Sequence, residues 1–341
     1  MIHRILRQTA DAATGYGPAG WVLVLWAALA LGCSPSIRLF PGAGDPLTEY
    51  TLEGEGRMKV LVISVRGVLS DAPDKGWVRT RPSVVEDVVS QLRKAEKDDR
   101  IRAVVLKIDS PGGTVTAGDL LYHEITGYQQ RTGARVVAAM MNVAASGGYY
   151  ISLPADHILA HPTTVTGSVG VIYLQPDLTG FMGKLGVDVD VYKTGRNKDM
   201  GAFFREPTEA ERRIMEDLIG RLGDRFFTLV KRHRPVTEAG FETIATARIF
   251  LSDDALALGM IDEIGYLDDA VSRAKALARL PSEARVVVYR RDEFPDDTIY
   301  TTAGGLHGGR PAVSLVETGL PDLGHLAAGF YYLWYPGASH D

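Results

Sequence analysis

Residues 102–150 read RAVVLKIDSPGGTVTAGDLLYHEITGYQQRTGARVVAAMMNVAASGGYY. Arg102–Asp109 is a nearly continuous apolar run of strand length, a helical pattern follows from about Ala117 to Gln130, and Arg135–Met141 is a second apolar run. Each run leads into a glycine pair, Gly112-Gly113 and Gly147-Gly148. Apolar runs without polar alternation belong to strands buried on both faces, and strands separated by helices point to parallel βαβ units and an α/β fold.

The same rhythm extends outward. Met58–Val65 is another buried-type strand, and Val84, Val85, Val88, Leu92 and Ala95 recur at helical spacing behind it. Downstream, His157–Ala160, Val169–Tyr173 and Val187–Tyr192 are strand-like. A long helix is predicted from Thr208 to about Arg232, opened by a Thr208/Glu211 capping box and carrying an apolar stripe from Ile214 to Val230. Further helices fit Glu238–Thr246, Asp253–Leu258 and Leu267–Leu280, with a last strand at Arg285–Tyr289.

Composition excludes several classes. The 341 residues carry 37 Lys+Arg against 42 Asp+Glu, are 45% hydrophobic and contain one Cys, so collagen-like, low-complexity and disulfide-stapled architectures are out. A net charge of -5 offers no global attraction to nucleic acid, and no nucleic-acid partner is expected.

The single Cys marks a position. Arg4 and Arg7 precede an apolar stretch from Trp21 to Gly32, shorter than the about 20 residues a spanning helix needs. Leu29-Ala30-Leu31-Gly32-Cys33 resembles a bacterial lipoprotein signal, which implies lipidation of Cys33 and a catalytic domain outside the cytoplasm, anchored to the membrane of the cell envelope. An uncleaved short anchor, or secretion with Cys33 incidental, would also place the chain outside. The expected organisation is a signal peptide at 1–32, a tether at 34–57, one folded domain at 58–290 and a Gly-rich, aromatic extension at 291–341. The aromatic run Phe330–Pro336 is expected to pack on protein, with a neighbouring subunit or the membrane interface as alternatives.

Ser146 stands just after a strand and at the start of a predicted helix, where free amides would stabilise a developing negative charge. On position alone it reads as a helix N-cap. The glycine pairs, taken singly, read as turns. No GxxxxGK[ST] and no GxGxxG opening a helix is present, and Ala144 stands where a GxSxG elbow needs glycine. His123, His157, His161 and His233 fall in no catalytic motif, and compact metal-ligand spacings such as HExxH are missing, so no metal or organic cofactor is expected.

Together, Asp109-Ser-Pro-Gly-Gly113, Ala145-Ser-Gly-Gly-Tyr-Tyr150, Thr166-Gly-Ser-Val-Gly-Val171, Lys193-Thr-Gly-Arg-Asn-Lys-Asp199 and Ala257-Leu-Gly-Met-Ile-Asp-Glu-Ile-Gly265 resemble the signal peptide peptidase A (SppA) group of serine peptidases. That resemblance covers roughly residues 58–280 and implies a ClpP/crotonase-like fold. It implies Ser146 as nucleophile and Lys198 as general base, a Ser–Lys dyad. Gly113, with Gly147, would donate amides to the oxyanion, and Ser168 would orient the lysine amine. It also implies apolar peptide substrates such as remnant signal peptides, and a homo-oligomer. A lysine acting as base must be desolvated, so Lys198 is expected to be buried, with Asp199 facing away and Lys193 structural. The rivals are a catalytically silent membrane-tethered scaffold and a crotonase-like acyl-CoA enzyme.

Overall fold

The apolar runs become the centre of a sheet. In the computed structural model, which describes residues 46–75, 80–291, 294, 297–301 and 329–334, the chain begins with β1 (Thr48–Glu53), β2 (Lys59–Arg66) and the short pair β3 (Asp74–Lys75) and β4 (Thr80–Arg81). There follow α1 (Val84–Ala95), β5 (Ile101–Ser110), β6 (Gly112–Thr114), α2 (Val115–Thr132), β7 (Arg135–Ala145), α3 (Gly147–Ser152), β8 (His157–Ala160), β9 (Val165–Gly167) and β10 (Ile172–Leu174). The remainder comprises α4 (Thr179–Leu185), α5 (Glu209–His233), α6 (Glu238–Ile244), β11 (Ile249–Leu251), α7 (Ser252–Ala257), β12 (Glu263–Ile264), α8 (Leu267–Leu277), β13 (Arg285–Arg290) and β14 (Gly329–Leu333).

The main sheet has the order β1-β13-β2-β5-β7-β8-β12, parallel from β13 through β12 and antiparallel where β1 joins β13. Period-two alternation divides its strands between two cores. Leu61, Ile63, Val104, Leu106, Val136 and Ala138 face the core that also holds Leu92 of α1, Leu121 and Ile125 of α2, and Phe226 of α5. Val60, Val62, Ala103, Val105, Val137 and Ala139 face α8 through Leu267, Ala270, Val271 and Ala274. Burial on both faces explains why these strands read as unbroken apolar runs, each large side chain contributing about 1.5–3 kcal/mol.

Helix ends follow local chemistry. Ser83 and Glu86 form a reciprocal capping box at α1, Thr208 and Glu211 form another at α5, and Gly133 closes α2 at φ 68°.

Strand β7 is longer than its apolar run predicts, and the extra length positions the site. Val137–Met140 pair with β8, whereas Val143–Ala145 pair with β9. β9 in turn pairs antiparallel with β11. A second, three-stranded sheet has the order β10-β14-β6.

Several expectations are corrected. Thr48–Glu53, inside the expected tether, is a strand, because β13 offers it a free edge. Val187–Tyr192 alternates like a strand but forms none: among the described residues no strand pairs with it, and Val187, Val189, Val191 and Tyr192 are exposed. Backbone without a partner ladder has no sheet to join. The strand expected over Val169–Tyr173 begins later, at Ile172. The aromatic run does pack on protein, as expected: in part it is β14, which pairs within this chain with β6 and β10. Cys33, the leader and the Gly304–Gly309 stretch lie outside the described residues. No helix among the described residues is long and apolar enough to cross a membrane.

Candidate active site

Ser146 is held at the junction of β7 and α3 with φ 52° and ψ -114°, a region that non-glycine residues rarely enter. Its amide donates to the Gly167 carbonyl at 2.7 Å, which continues the β7–β9 pairing through the turn. The side chain is 1% exposed and its Oγ has no hydrogen-bond partner. The Ser146 hydroxyl therefore caps nothing in α3, unlike the N-cap serine that its position suggested. A buried hydroxyl without a partner costs about 1–3 kcal/mol, so this one is conspicuous.

The first glycine pair lies beside it. Gly112 has φ 101°, and a Cβ there would stand 1.9 Å from the Tyr332 carbonyl oxygen and 2.7 Å from the Gly147 nitrogen. Gly113 bridges Leu69: a Cβ would meet the Leu69 carbonyl oxygen at 1.9 Å. Both positions need glycine because backbone from three segments converges there. Ser110 Oγ supports the turn, donating to the Gly67 carbonyl at 2.6 Å and accepting from the Gly112 amide at 3.1 Å.

Ser168 follows the Gly167 carbonyl that holds Ser146. It too has positive φ, 50°, and its amide donates to the Arg248 carbonyl at 2.9 Å. Ser146, Gly147, Gly112, Gly113 and the 167–168 turn are thus brought together by one sheet edge.

Lys198 is not joined to them within one chain. It lies in the irregular stretch after Val191, where the side chain is exposed, and no described hydrogen bond or ion pair involves its amine. The expected burial of Lys198 is absent because the surrounding stretch has no covering element: Leu185, Val187, Val189 and Tyr192 are exposed too. The Asp199 carboxylate is taken up by other cations. Its carboxylate accepts from Arg205 Nε at 2.9 Å and from Lys193 Nζ at 2.5 Å, and these bonds, Arg205 first, hold it well below the usual carboxylate range. Arg205 also reaches Glu211 Oε1 at 2.6 Å, which ties this stretch to the start of α5 and brings Glu211 down to about 2.

The model of peptidase family S49 matches residues 128–281, and that of the Clp protease family matches residues 79–167. A putative signal peptide peptidase SppA of Enterococcus faecium is 32% identical over 256 residues, covering 75% of this chain and 74% of that protein. The chain belongs to peptidase family S49. A putative protease of Synechocystis is 33% identical over 66% of this chain and 76% of its own length. Protease 4 of Haemophilus influenzae is 31% identical, and this chain spans only 40% of it. Among solved structures, a ClpP1 mutant from Listeria monocytogenes aligns with TM-score 0.40 at 20% identity, over 62% of this chain and 94% of that one. The parallel sheet with its glycine-paired strand ends is the α/β ClpP/crotonase-like fold.

The sequence did not place Tyr332 beside the first glycine pair. Its aromatic neighbourhood was visible, but nothing local says that residues 329–333 return across more than 200 residues to lie on Gly112–Thr114.

Proposed function

We propose that this S49 serine peptidase is an endopeptidase that cleaves apolar peptides, including remnant signal peptides, with Ser146 as nucleophile and Lys198 as general base. The observation that carries the reading is the Ser146 hydroxyl: buried, unpartnered, and held in a strained turn against Gly147 and the Gly112-Gly113 backbone. A structural serine would spend its hydroxyl on a cap.

In this mechanism neutral Lys198 takes the Ser146 proton as Oγ bonds to the peptide carbonyl carbon. The Gly113 amide, with that of Gly147, stabilises the oxyanion. Collapse breaks the C–N bond, and the lysine proton passes to the departing amine. Water then attacks the ester carbonyl, giving a proton to the same lysine; the carbon–Oγ bond breaks, the lysine returns that proton to Ser146 Oγ, and the acid leaves. Ser168, beside the Gly167 carbonyl, orients the amine.

Lys198 must leave water for this role. We place a second copy of the chain over the exposed apolar stretch around Leu185–Tyr192, which would desolvate Lys198 and complete the dyad; the active form is then a homo-oligomer. Residues before the domain would anchor it to the cell envelope, through lipid on Cys33.

A covalent serine probe tests the core of the reading. Labelling of the full chain at Ser146, lost in Ser146→Ala together with peptide cleavage and retained or weakened in Lys198→Ala, is the expected result. A folded Ser146→Ala variant that cleaves at the original rate would overturn it, and an unlabelled chain that cleaves nothing would favour a silent scaffold.

A further inference from the structure

Residues 193–205, which carry Lys198, belong to no strand or helix. The backbone bonds within this stretch close single turns: the Lys198 amide donates to the Gly195 carbonyl at 3.2 Å, that of Met200 to Asn197 at 3.1 Å and that of Ala202 to Asp199 at 3.1 Å. Exposed turn bonds of this kind each contribute about 1 kcal/mol or less, so the placement of the segment has to come from elsewhere.

It comes from Arg205, whose guanidinium is a fork between two carboxylates. Nε donates to Asp199 Oδ2 at 2.9 Å, and Nη2 to Asp199 Oδ1 at 2.8 Å and to the Asp199 carbonyl at 3.2 Å. On its other side Nη1 reaches Glu211 Oε2 at 2.9 Å and Nη2 reaches Oε1 at 2.6 Å, with the Glu206 carbonyl 3.0 Å from Nη1. Planar, bidentate pairing of this kind fixes orientation as well as distance. Glu211 is buried, and its Oε2 also accepts from the Thr208 amide at 2.8 Å and the Thr208 hydroxyl at 3.0 Å. The residue next to Lys198 is thereby bolted to the capped first turn of α5. Lys193 joins the cluster from the other end, donating to Asp199 Oδ1. Two cations meet two carboxylates, so Lys193 is spent, Asp199 is neutralised, and the Lys198 amine has no described partner.

We propose that Arg205 is a positioning residue for the general base: it fixes the Lys198 segment to α5 and keeps the Asp199 carboxylate from pairing with the Lys198 amine. The assignment rests on Lys198 acting as the proposed function has it. An amine can take the Ser146 proton only when neutral, and a free carboxylate beside it would hold its proton on. Arginine cancels that carboxylate without itself titrating, and its fork supplies geometry that a lysine in its place could not. The other charged or titratable groups of the neighbourhood are Asp188, Asp190 and Arg196 along the segment, and Arg212 and Glu216 of α5 with Tyr173 of β10, which line a hollow beside Met200 and Gly201. Substitutions at 199 and 205 leave all of them in place.

The test is the pH profile of kcat/KM for one apolar quenched fluorescent peptide, measured on the full chain and normalised to folded protein. Parent, Arg205→Ala, Arg205→Lys and the double variant Arg205→Ala with Asp199→Asn are compared. In Arg205→Ala the acidic limb, where the base must lose its proton, should move to higher pH by about half a unit to one unit. In the double variant the limb should return to the parent position while the melting temperature stays below the parent's, which a purely structural role of Arg205 would not produce. Arg205→Lys should keep the limb and lose kcat several-fold, and it carries the test if Arg205→Ala does not fold. An unmoved limb in Arg205→Ala, a shift that persists in the double variant, or full kcat in Arg205→Lys overturns the assignment and leaves the dyad standing. A folded Lys198→Ala variant that cleaves at the original rate overturns the dyad, and the role of Arg205 with it.

Discussion

The Ser146 amide is bonded to the Gly167 carbonyl at 2.7 Å, so the turn that carries the hydroxyl is a continuation of the β7–β9 ladder. Backbone strain at Ser146 is sustained by that ladder on one side and by the buried α3 on the other. Ser168, one residue beyond the acceptor, is placed by the same bond.

Ser146→Gly should therefore stabilise the domain by about 1 kcal/mol while abolishing cleavage, because glycine enters this region without steric penalty. Ser146→Ala keeps a Cβ and should be inactive; it removes the unpartnered hydroxyl but not the backbone strain, so the difference between Ser146→Gly and Ser146→Ala isolates the strain. Urea unfolding of both variants beside the parent chain measures the difference; a Ser146→Gly variant less stable than the parent would mean the turn is unstrained.

Gly113→Ala should cost at least about 2 kcal/mol and remove activity, since its methyl group would collide with the Leu69 carbonyl. Both are backbone-bound, so no side-chain rotation relieves the clash. Thermal melts and peptide turnover on the soluble, folded fraction check it.

Arg205→Ala should lower the melting temperature and raise hydrogen exchange over residues 193–205, because Asp199 and Glu211 lose their shared cation. Glu211 is depressed in the folded state, chiefly by Arg205, so its contribution is complete above the ordinary carboxylate range and fades as pH falls toward about 2. The gap in stability between parent and Arg205→Ala should accordingly narrow on acidification between about pH 5 and pH 2. A gap constant across that range would assign the stabilisation to packing instead.

Association can be followed through the Leu185–Tyr192 stretch. Val189→Asp should shift the chain toward monomer in sedimentation velocity and reduce cleavage in parallel, because an added carboxylate opposes burial of the exposed apolar residues. A variant that stays assembled and active would remove that stretch from the interface.

The sequence by itself determined the sheet. Runs such as Val104–Leu106 and Val136–Met140 can be satisfied only by burial on both faces, and Ser83/Glu86 and Thr208/Glu211 state their helix starts locally. Ser146, Gly113 and Ser168 were singled out by the resemblance of their motifs to a known family; position alone made Ser146 a helix cap and the glycine pairs turns. Tertiary structure alone decided the rest. Val187–Tyr192 has a strand's alternation and no strand, since pairing needs a neighbour that no local pattern supplies. Lys198 stays in water for the same reason: desolvation comes from covering surface, which its own segment does not contain. Tyr332 reaches Gly113 across a separation on which local propensity is silent, and only the folded chain brings the aromatic strand to the glycine pair.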